Sequence, residues 1–441
     1  MSSEVKRIAL WPREVLGPPP GMKEICVICW SILIFGILMP GIVALVVQAR
    51  NGNLFFEKGP VDFVYLYGVG KIANTHSAID VYDYGLQLKT FQSIISIRPE
   101  DGTYGPSPYP PFVSQFFRIF AHLDFAHAYF AWAGVSLLLY LSGIRLLLKE
   151  FSLGDRFRDS LVLCFALGSH VFLMNTLGNG QLSAVALFFE ALAITLERRS
   201  KPFLSGLALS VVLYKFTLLP LIVMMLVLTR RFKTLAGFTS GVSFLALLTT
   251  LVAGLRIWPV YLHFILDFGK VAGAYGKTSE RLWKFVDLNS FSYPGVGGRP
   301  FYAVVLLAAA IVISVATLAI LLWRTDRSSR PQQSLAWAAT ITWTMLVNVY
   351  YPSYDMILLV IPTVLTLSAA TELGWGRAFR WMVALGVSVV ILSWIHEPFY
   401  LRYGVQLMTL GLIAVAVLQT NLLRRAIKER ALQPETTAVS I

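Results

Sequence analysis

The stretch FLSGLALSVVLYKFTLLPLIVMMLVLT, residues 203–229, decides how this chain is threaded. It is apolar over more than the roughly 20 residues that one membrane crossing needs. ERRSK (197–201) precedes it and RRFK (230–233) follows it. Basic segments beside membrane helices stay on the cytoplasmic side. A single helix cannot begin and end on the same side. Two half-length helices folded back at YKFTLLP can, with Pro220 breaking the run. The stretch is therefore expected to be a hairpin whose tip, near Lys215, faces outward.

Further apolar runs cover 24–48, 126–148, 158–176, 181–197, 234–254, 301–323, 334–350, 356–371, 378–396 and 403–423. With the hairpin counted twice, about twelve membrane segments result and both termini are cytoplasmic. KEFSLGDRFR (149–158), RTDRSSR (324–330), GRAFR (376–380) and LLRRAIKER (422–430) then all lie inside. Composition agrees: 56% of residues are hydrophobic and 14% charged, where a soluble chain carries charge on about a quarter. The net charge of +13 sits largely in the short segments between apolar runs. It reads as a topology signal, and no nucleic-acid partner is expected. Three cysteines are too few for a disulfide framework. Cys26 and Cys29 lie inside the first apolar run and read as small core residues. That run has no small-residue exit site and is expected to remain as an anchor.

The expected fold is thus an all-α integral membrane protein, one polytopic helical bundle over 1–441. Two long outer loops, 49–125 and 255–300, interrupt it. DFVYLYGVGKIA (62–73), PFVSQFFRIFAHL (111–123) and WPVYLHFILDFGK (258–270) read as amphipathic helices lying along the membrane surface. In the second, Phe112, Phe116, Phe120 and Leu123 share the apolar face, with Gln115, Arg118 and His122 largely off it.

The first outer loop carries GPVDFVYLYGVGKIANTHSAIDVYDYG (59–85), with three aspartates. Asp62 reads as a helix N-cap, as a solvated carboxylate, or as a general base partly desolvated at the interface. Asp80 and Asp83 read as turn or cap residues. Tyr109, in SPYPPF (107–112), is an interface anchor or a sugar-stacking ring, and the prolines after it give a rigid helix entry. Lys215 has apolar neighbours on both sides. It either snorkels to the headgroups or binds a lipid phosphate at the outer level. Gln181 and Asp355 stand at outer helix ends on the same side as Asp62 and Lys215. The histidines are scattered with no ligand spacing, and no phosphate-binding glycine loop occurs, so neither metal nor nucleotide cofactor is expected.

Together these residues resemble glycosyltransferase family 87, membrane enzymes of the GT-C fold. The resemblance rests on DFVYLY (62–67), VYDYG (81–85), YPPF (109–112), NGQ (179–181), GLALSVVLYKFTLLPLI (206–222) followed by RRFK, and YPSYD (351–355). Lys215 and Pro220 are spaced more widely than in the family pattern. The resemblance implies transfer of a sugar, typically mannose and sometimes arabinofuranose, from a polyprenyl-phosphate donor. The transfer proceeds with inversion onto a glycolipid or glycan acceptor, in a bacterial inner membrane, on the periplasmic side. It implies Asp62 as the base and Lys215 as a ligand of the leaving phosphate. Asp80, Asp83, Tyr109, Gln181, Tyr354 and Asp355 would position substrate. The competing reading is a transporter or flippase of lipid-linked sugars, against which no half-to-half similarity is visible.

Overall fold

The computed structural model describes residues 61–94, 106–154, 156–168, 176–275, 284–291, 301–348 and 350–432. The first apolar run, 24–48, with Cys26 and Cys29, lies outside them. The described residues are helical, with one isolated bridge between Phe285 and Pro352 and no strand.

Three helices precede the bundle: α1 Val61–Thr75, α2 Tyr84–Ile94 and α3 Pro111–Phe117. The bundle begins with α4 Phe125–Glu150, α5 Arg156–Gly168, α6 Ser183–Arg198, α7 Pro202–Val211, α8 Pro220–Leu228 and α9 Phe232–Ala253. It continues with α10 Ile257–Tyr275, α11 Phe301–Trp323, α12 Arg330–Val347, α13 Val360–Glu372, α14 Gly376–Tyr403 and α15 Leu407–Ala431. Among the described residues, six helical stretches are long and apolar enough to cross a membrane: α4, α9, α11, Ser353–Glu372, α14 and α15. The chain is a polytopic membrane protein. The expected count of about twelve segments also takes in the run 24–48, which lies outside the described residues, the two half-length helices of 203–229, the shorter helices α5 and α6, and α12, whose first turn is polar.

Position in the bundle follows from which faces are covered. Of the most apolar window in each, 11% is buried in α11 and 89% in Ser353–Glu372, so the former is peripheral and the latter central. Helix α12 is central too. Thirteen side chains in succession, Ser334 to Leu346, are buried, and so is Gln332. Such helices gain no hydrophobic drive over lipid, so close packing and internal hydrogen bonds hold them. The Trp343 indole donates to Thr420 at 2.9 Å and Gln419 donates to Thr366 at 3.0 Å.

Residues 203–229 fold back on themselves. Helix α8 has 9 residues, about 14 Å at 1.5 Å per residue, against a hydrocarbon core of about 30 Å. Helices α7 and α9 run parallel. A Cβ on Gly206 would fall on the backbone of Thr234 and Phe238, one on Gly237 on that of Phe203, and one on Gly241 on Ser210. Gly237 and Gly241 form the small-xxx-small spacing that lets membrane helices touch backbone to backbone. Two parallel helices require a return between them, and α8 supplies it. The ends close together: Arg231 pairs with Glu197 at 2.9 Å.

That end of the bundle gathers further ion pairs: Arg199–Glu150 at 2.7 Å, Arg198–Glu372 at 2.8 Å and, on the next helices, Arg430–Asp326 at 3.3 Å. The tip at Lys215 lies at the other end, with Gln181, Asn348 and Asp355.

The helices of the first loop differ from the surface helices expected. Both flanks of α1 are packed. Phe63, Leu66 and Tyr67 join the main core, while Val64, Val69, Ile72 and Ala73 join a second core with Phe91, Ile257 and Phe264. In α3 and the turn after it, Val113, Phe117 and Phe120 are buried, and Phe117 meets the Trp132 indole at 4.9 Å. Phe116, Ile119 and Leu123 are exposed. The stripe Phe112–Phe116–Phe120–Leu123 is thus split, with Phe120 buried, Phe112 partly so, and Phe116 and Leu123 facing outward, because a lipid-facing protein presents apolar side chains outward as well as inward. Helix α14 runs beyond the apolar run 378–396 and stops at Gly404 with φ +69°.

Candidate active site

The hairpin tip is built by a break in the helix. Lys215 takes φ −128°, ψ 77° inside the tight turn Val212–Leu218, and Pro220 then opens α8 at its first turn, where a missing N–H does no harm. The Tyr214 hydroxyl donates to Leu182 O at 2.9 Å, and the Asn348 amide to Thr217 O at 3.0 Å. These bonds tie the tip to the start of α6 and the end of α12.

Lys215 does not simply snorkel. Its Nζ is bonded to Oδ2 of Asp355, and the two side chains are 14% and 1% exposed. Ser183 Oγ donates to the other oxygen, Oδ1, at 2.7 Å. The Tyr351 hydroxyl donates to the Asp355 carbonyl at 2.8 Å. The rings of Tyr354 and Tyr351 lie 5.1 and 5.9 Å from the ammonium. A buried carboxylate is tolerable only with such partners. An ammonium has three donors, so the Asp355 contact leaves Lys215 able to meet an anion.

Asp62 lies in the first turn of α1, where the helix dipole favours a negative charge. Its side chain is half-buried and accepts a hydrogen bond from Gln181. Burial raises its carboxyl above the usual carboxylate range, and the Gln181 hydrogen bond and the charge of Lys284 act in the opposite sense. Gln181 reaches it from a turn that needs glycine. Gly180 has φ +72°, and a Cβ there would stand 2.8 Å from that of Phe63. Helix α4 holds the turn in place: Trp132 Nε1 donates to Gly180 O at 2.9 Å, and Tyr129 to Leu177 O at 3.0 Å.

Tyr109 joins the two carboxylates electrostatically. Burial pushes its phenol up, and Asp62 and Asp355 push it further. Its carbonyl accepts from the Tyr82 hydroxyl at 3.0 Å, fixing the entry to α3. Asp62, Tyr109, Gln181, Lys215, Tyr354 and Asp355 therefore share one neighbourhood at the tip end of the bundle.

Asp80 and Asp83 do not join it. Asp80 accepts from Ser77 N at 3.0 Å in a capping box, and Asp83 caps α2 by accepting from Leu86 N at 2.8 Å. No hydrogen bond or ion pair among the described residues links them to Asp62 or Lys215. Of the two readings of these aspartates, the structure displays the cap.

Several residues of the site escaped the sequence reading. Ser183 and Tyr351 order Asp355. Asp287 pins the segment 284–291: it accepts from Ser290 N at 2.7 Å and Tyr351 N at 3.0 Å, while Val286 N donates to Tyr351 O at 3.0 Å. This brings Lys284 into the field of Asp62. The spelling D-x-x-S at 287–290 is a cap signal that points to the local bonds.

Beside the tip, an apolar cavity of about 300 Å³ is lined by Pro110, Phe112, Leu213, Phe216, Trp258 and Tyr261 among others. Leu213 and Phe216 flank Lys215, and Pro110 follows Tyr109.

Carboxylates, a lysine, an amide and tyrosines are thus gathered at one end of a helical membrane protein, near an apolar cleft, a set of groups able to bind a polar substrate and exchange a proton with it. The model of glycosyltransferase family 87 matches residues 108–352, more than half of the 441 residues, and the chain belongs to that family. It is a glycosyltransferase, with a sugar donor and an acceptor. The matched region contains Tyr109, Gln181 and Lys215; Asp62, Tyr354 and Asp355 lie outside it. No curated protein and no solved structure matches the chain.

Proposed function

We propose that the protein is an inverting glycosyltransferase of a bacterial inner membrane. It moves a sugar, mannose before other candidates, from a polyprenyl-phosphate donor to a glycolipid or glycan acceptor on the periplasmic face. The observation that carries this is that Leu213 and Phe216, which flank Lys215 in the chain, line the apolar cavity, while the Lys215 ammonium sits at the polar cluster with Asp355. A cation beside a hydrocarbon-lined cleft matches an anionic lipid: the chain fills the cleft and the phosphate meets the ammonium. The ion pairs of Arg198, Arg199, Arg231 and Arg430 gather at the opposite end, which by the positive-inside rule supports a periplasmic site and cytoplasmic termini.

In this reading Asp62 takes the proton of an acceptor hydroxyl. The hydroxyl oxygen attacks the anomeric carbon from the face opposite the phosphate. The bond from that carbon to the phosphate oxygen breaks, and the electron pair leaves with the polyprenyl phosphate. Lys215 stabilises the charge gathering on that phosphate, and Gln181, Tyr109 and Tyr354 orient the sugar and Asp62. The GT-C arrangement, with a bundle of about twelve segments and outer loops 49–125 and 255–300 in a single domain, belongs to the same proposal. The reading is tested by incubating the purified protein with radiolabelled polyprenyl-phosphate mannose and a mixed lipid acceptor. Label should move to the acceptor with release of polyprenyl phosphate. Label that only changes leaflet in vesicles would instead identify a flippase.

A further inference from the structure

Glu190 lies halfway along α6, is 1% exposed, and its Oε2 has no hydrogen-bond partner among the described residues. Ser183, Glu190 and Glu197 are spaced by seven, so they share one face of the helix. Ser183 serves Asp355 and Glu197 serves Arg231. Between them, Glu190 faces a cavity of about 10 Å³ that Leu218, Ile222, Thr344, Tyr351 and Leu358 help to line. That is about the room one water needs, in a wall that offers polar partners. Tyr351 is the residue whose hydroxyl bonds the Asp355 carbonyl. The titratable groups around Glu190 are Asp355, Tyr351 and Tyr214. None is a cation, and the cations at the two ends of the helix are already paired, Lys215 with Asp355 and Arg231 with Glu197. A carboxylate buried without a counter-charge takes up a proton rather than stay ionised.

We propose that Glu190 is held as the neutral acid and is a positioning residue. Through the single-water cavity it supports Tyr351, and thereby the Asp355–Lys215 pair that receives the donor. An acid that merely fills space would not depend on its hydrogen-bonding capacity; this one does.

Two variants test it, Glu190→Gln and Glu190→Leu, with readouts of different dependence on the proposed reaction. Infrared spectra of the detergent-solubilised protein should hold a protonated-carboxyl band that persists at neutral pH and disappears in Glu190→Gln. This readout does not rest on the transferase reading; the kinetic readout does. With polyprenyl-phosphate mannose as donor, Glu190→Gln should keep the wild-type KM. Glu190→Leu should raise it about tenfold, the size of one lost hydrogen bond, at little change in kcat. The absence of the band, a wild-type KM in Glu190→Leu, or equal losses in both variants would each overturn the proposal. If the wild-type protein transferred no sugar, the function would fall while the infrared readout still decided the proton.

Discussion

The Lys215 ammonium is bonded to the Asp355 carboxylate, 140 positions further along the chain. The pair joins the tip of the hairpin to the turn that leads into α13. It is almost wholly buried, so its two members depend on each other. Removing one leaves an uncompensated buried charge, which costs about 3–5 kcal/mol. Lys215→Met and Asp355→Asn should each destabilise by that order. The double variant should lose less than the sum, because the orphaned charge is gone. Chemical denaturation of the solubilised protein measures the cycle, and strict additivity would remove the pair from the architecture.

The pair also changes how Lys215 should be tested as a phosphate ligand. Lys215→Ala confounds lost donor affinity with lost fold, whereas Lys215→Met in the Asp355→Asn background isolates the former. In that background donor KM should rise by an amount equivalent to roughly 2–4 kcal/mol, as for other charged contacts. An unchanged KM there would show that Lys215 serves the fold alone.

The hairpin makes a prediction about sides. In a variant lacking the three native cysteines, single cysteines would replace Phe216, Ser200 and Lys233, all exposed. A membrane-impermeant maleimide added to intact cells stripped of outer layers should label position 216 and spare 200 and 233. Labelling at 233 from outside would place the cationic end of the bundle on the wrong side of the membrane.

How far the sequence revealed this depends on the range of each interaction. The fold-back at 203–229 was legible because charge flanks it on both sides within a few residues. Lys215 stood out as a cation in an apolar run. Its partner did not, since nothing local ties Asp355 to it. Glu190 carries the same kind of signal, a charge inside an apolar helix, and was passed over because no second residue nearby drew attention to it. Asp80 and Asp83 have short-range amide partners, so cap and ligand are spelled alike until the fold is known. On α3 the stripe was legible as an apolar face, with Phe116 and Leu123 exposed as a membrane-surface helix requires, but the burial of Phe120 against Trp132 depends on a contact that the local pattern does not spell.

The pH dependence follows from the setting of Asp62. Its carboxyl is raised by burial, while Gln181 and Lys284 pull it down. A general base works only when ionised, so turnover should fall as pH drops through that raised value. Removing either helper raises it further. Lys284→Met and Gln181→Leu should therefore move the acid limb of kcat/KM to higher pH, with a smaller movement for Lys284→Arg. The sign for stability is the reverse of the usual carboxylate case. A folded-state value above the unfolded one means that ionising Asp62 opposes folding, so Asp62 itself favours the folded state more at lower pH. A limb that stays in place in both variants would detach Asp62 from the rate.

The most direct test is Asp62→Asn. The substitution preserves size, keeps an oxygen to accept from Gln181, and loses only the charge and the capacity to take a proton. The half-buried position in the first turn of α1 means that the neutral amide relieves desolvation while giving up a modest dipole interaction of about 0.3–1 kcal/mol. The fold should therefore survive, and thermal melts should stay near wild type. General-base catalysis contributes about 10²–10⁴-fold, so kcat should fall within that range while donor KM changes little. Asp62→Ala would lose the Gln181 bond as well and is expected to weaken donor binding in addition. Full turnover in Asp62→Asn would dismiss Asp62 as the base and leave Asp355, the other carboxylate of the cluster, to be tested next. Loss of folded protein in Asp62→Asn would instead assign the residue to the packing of α1 against the 176–181 turn.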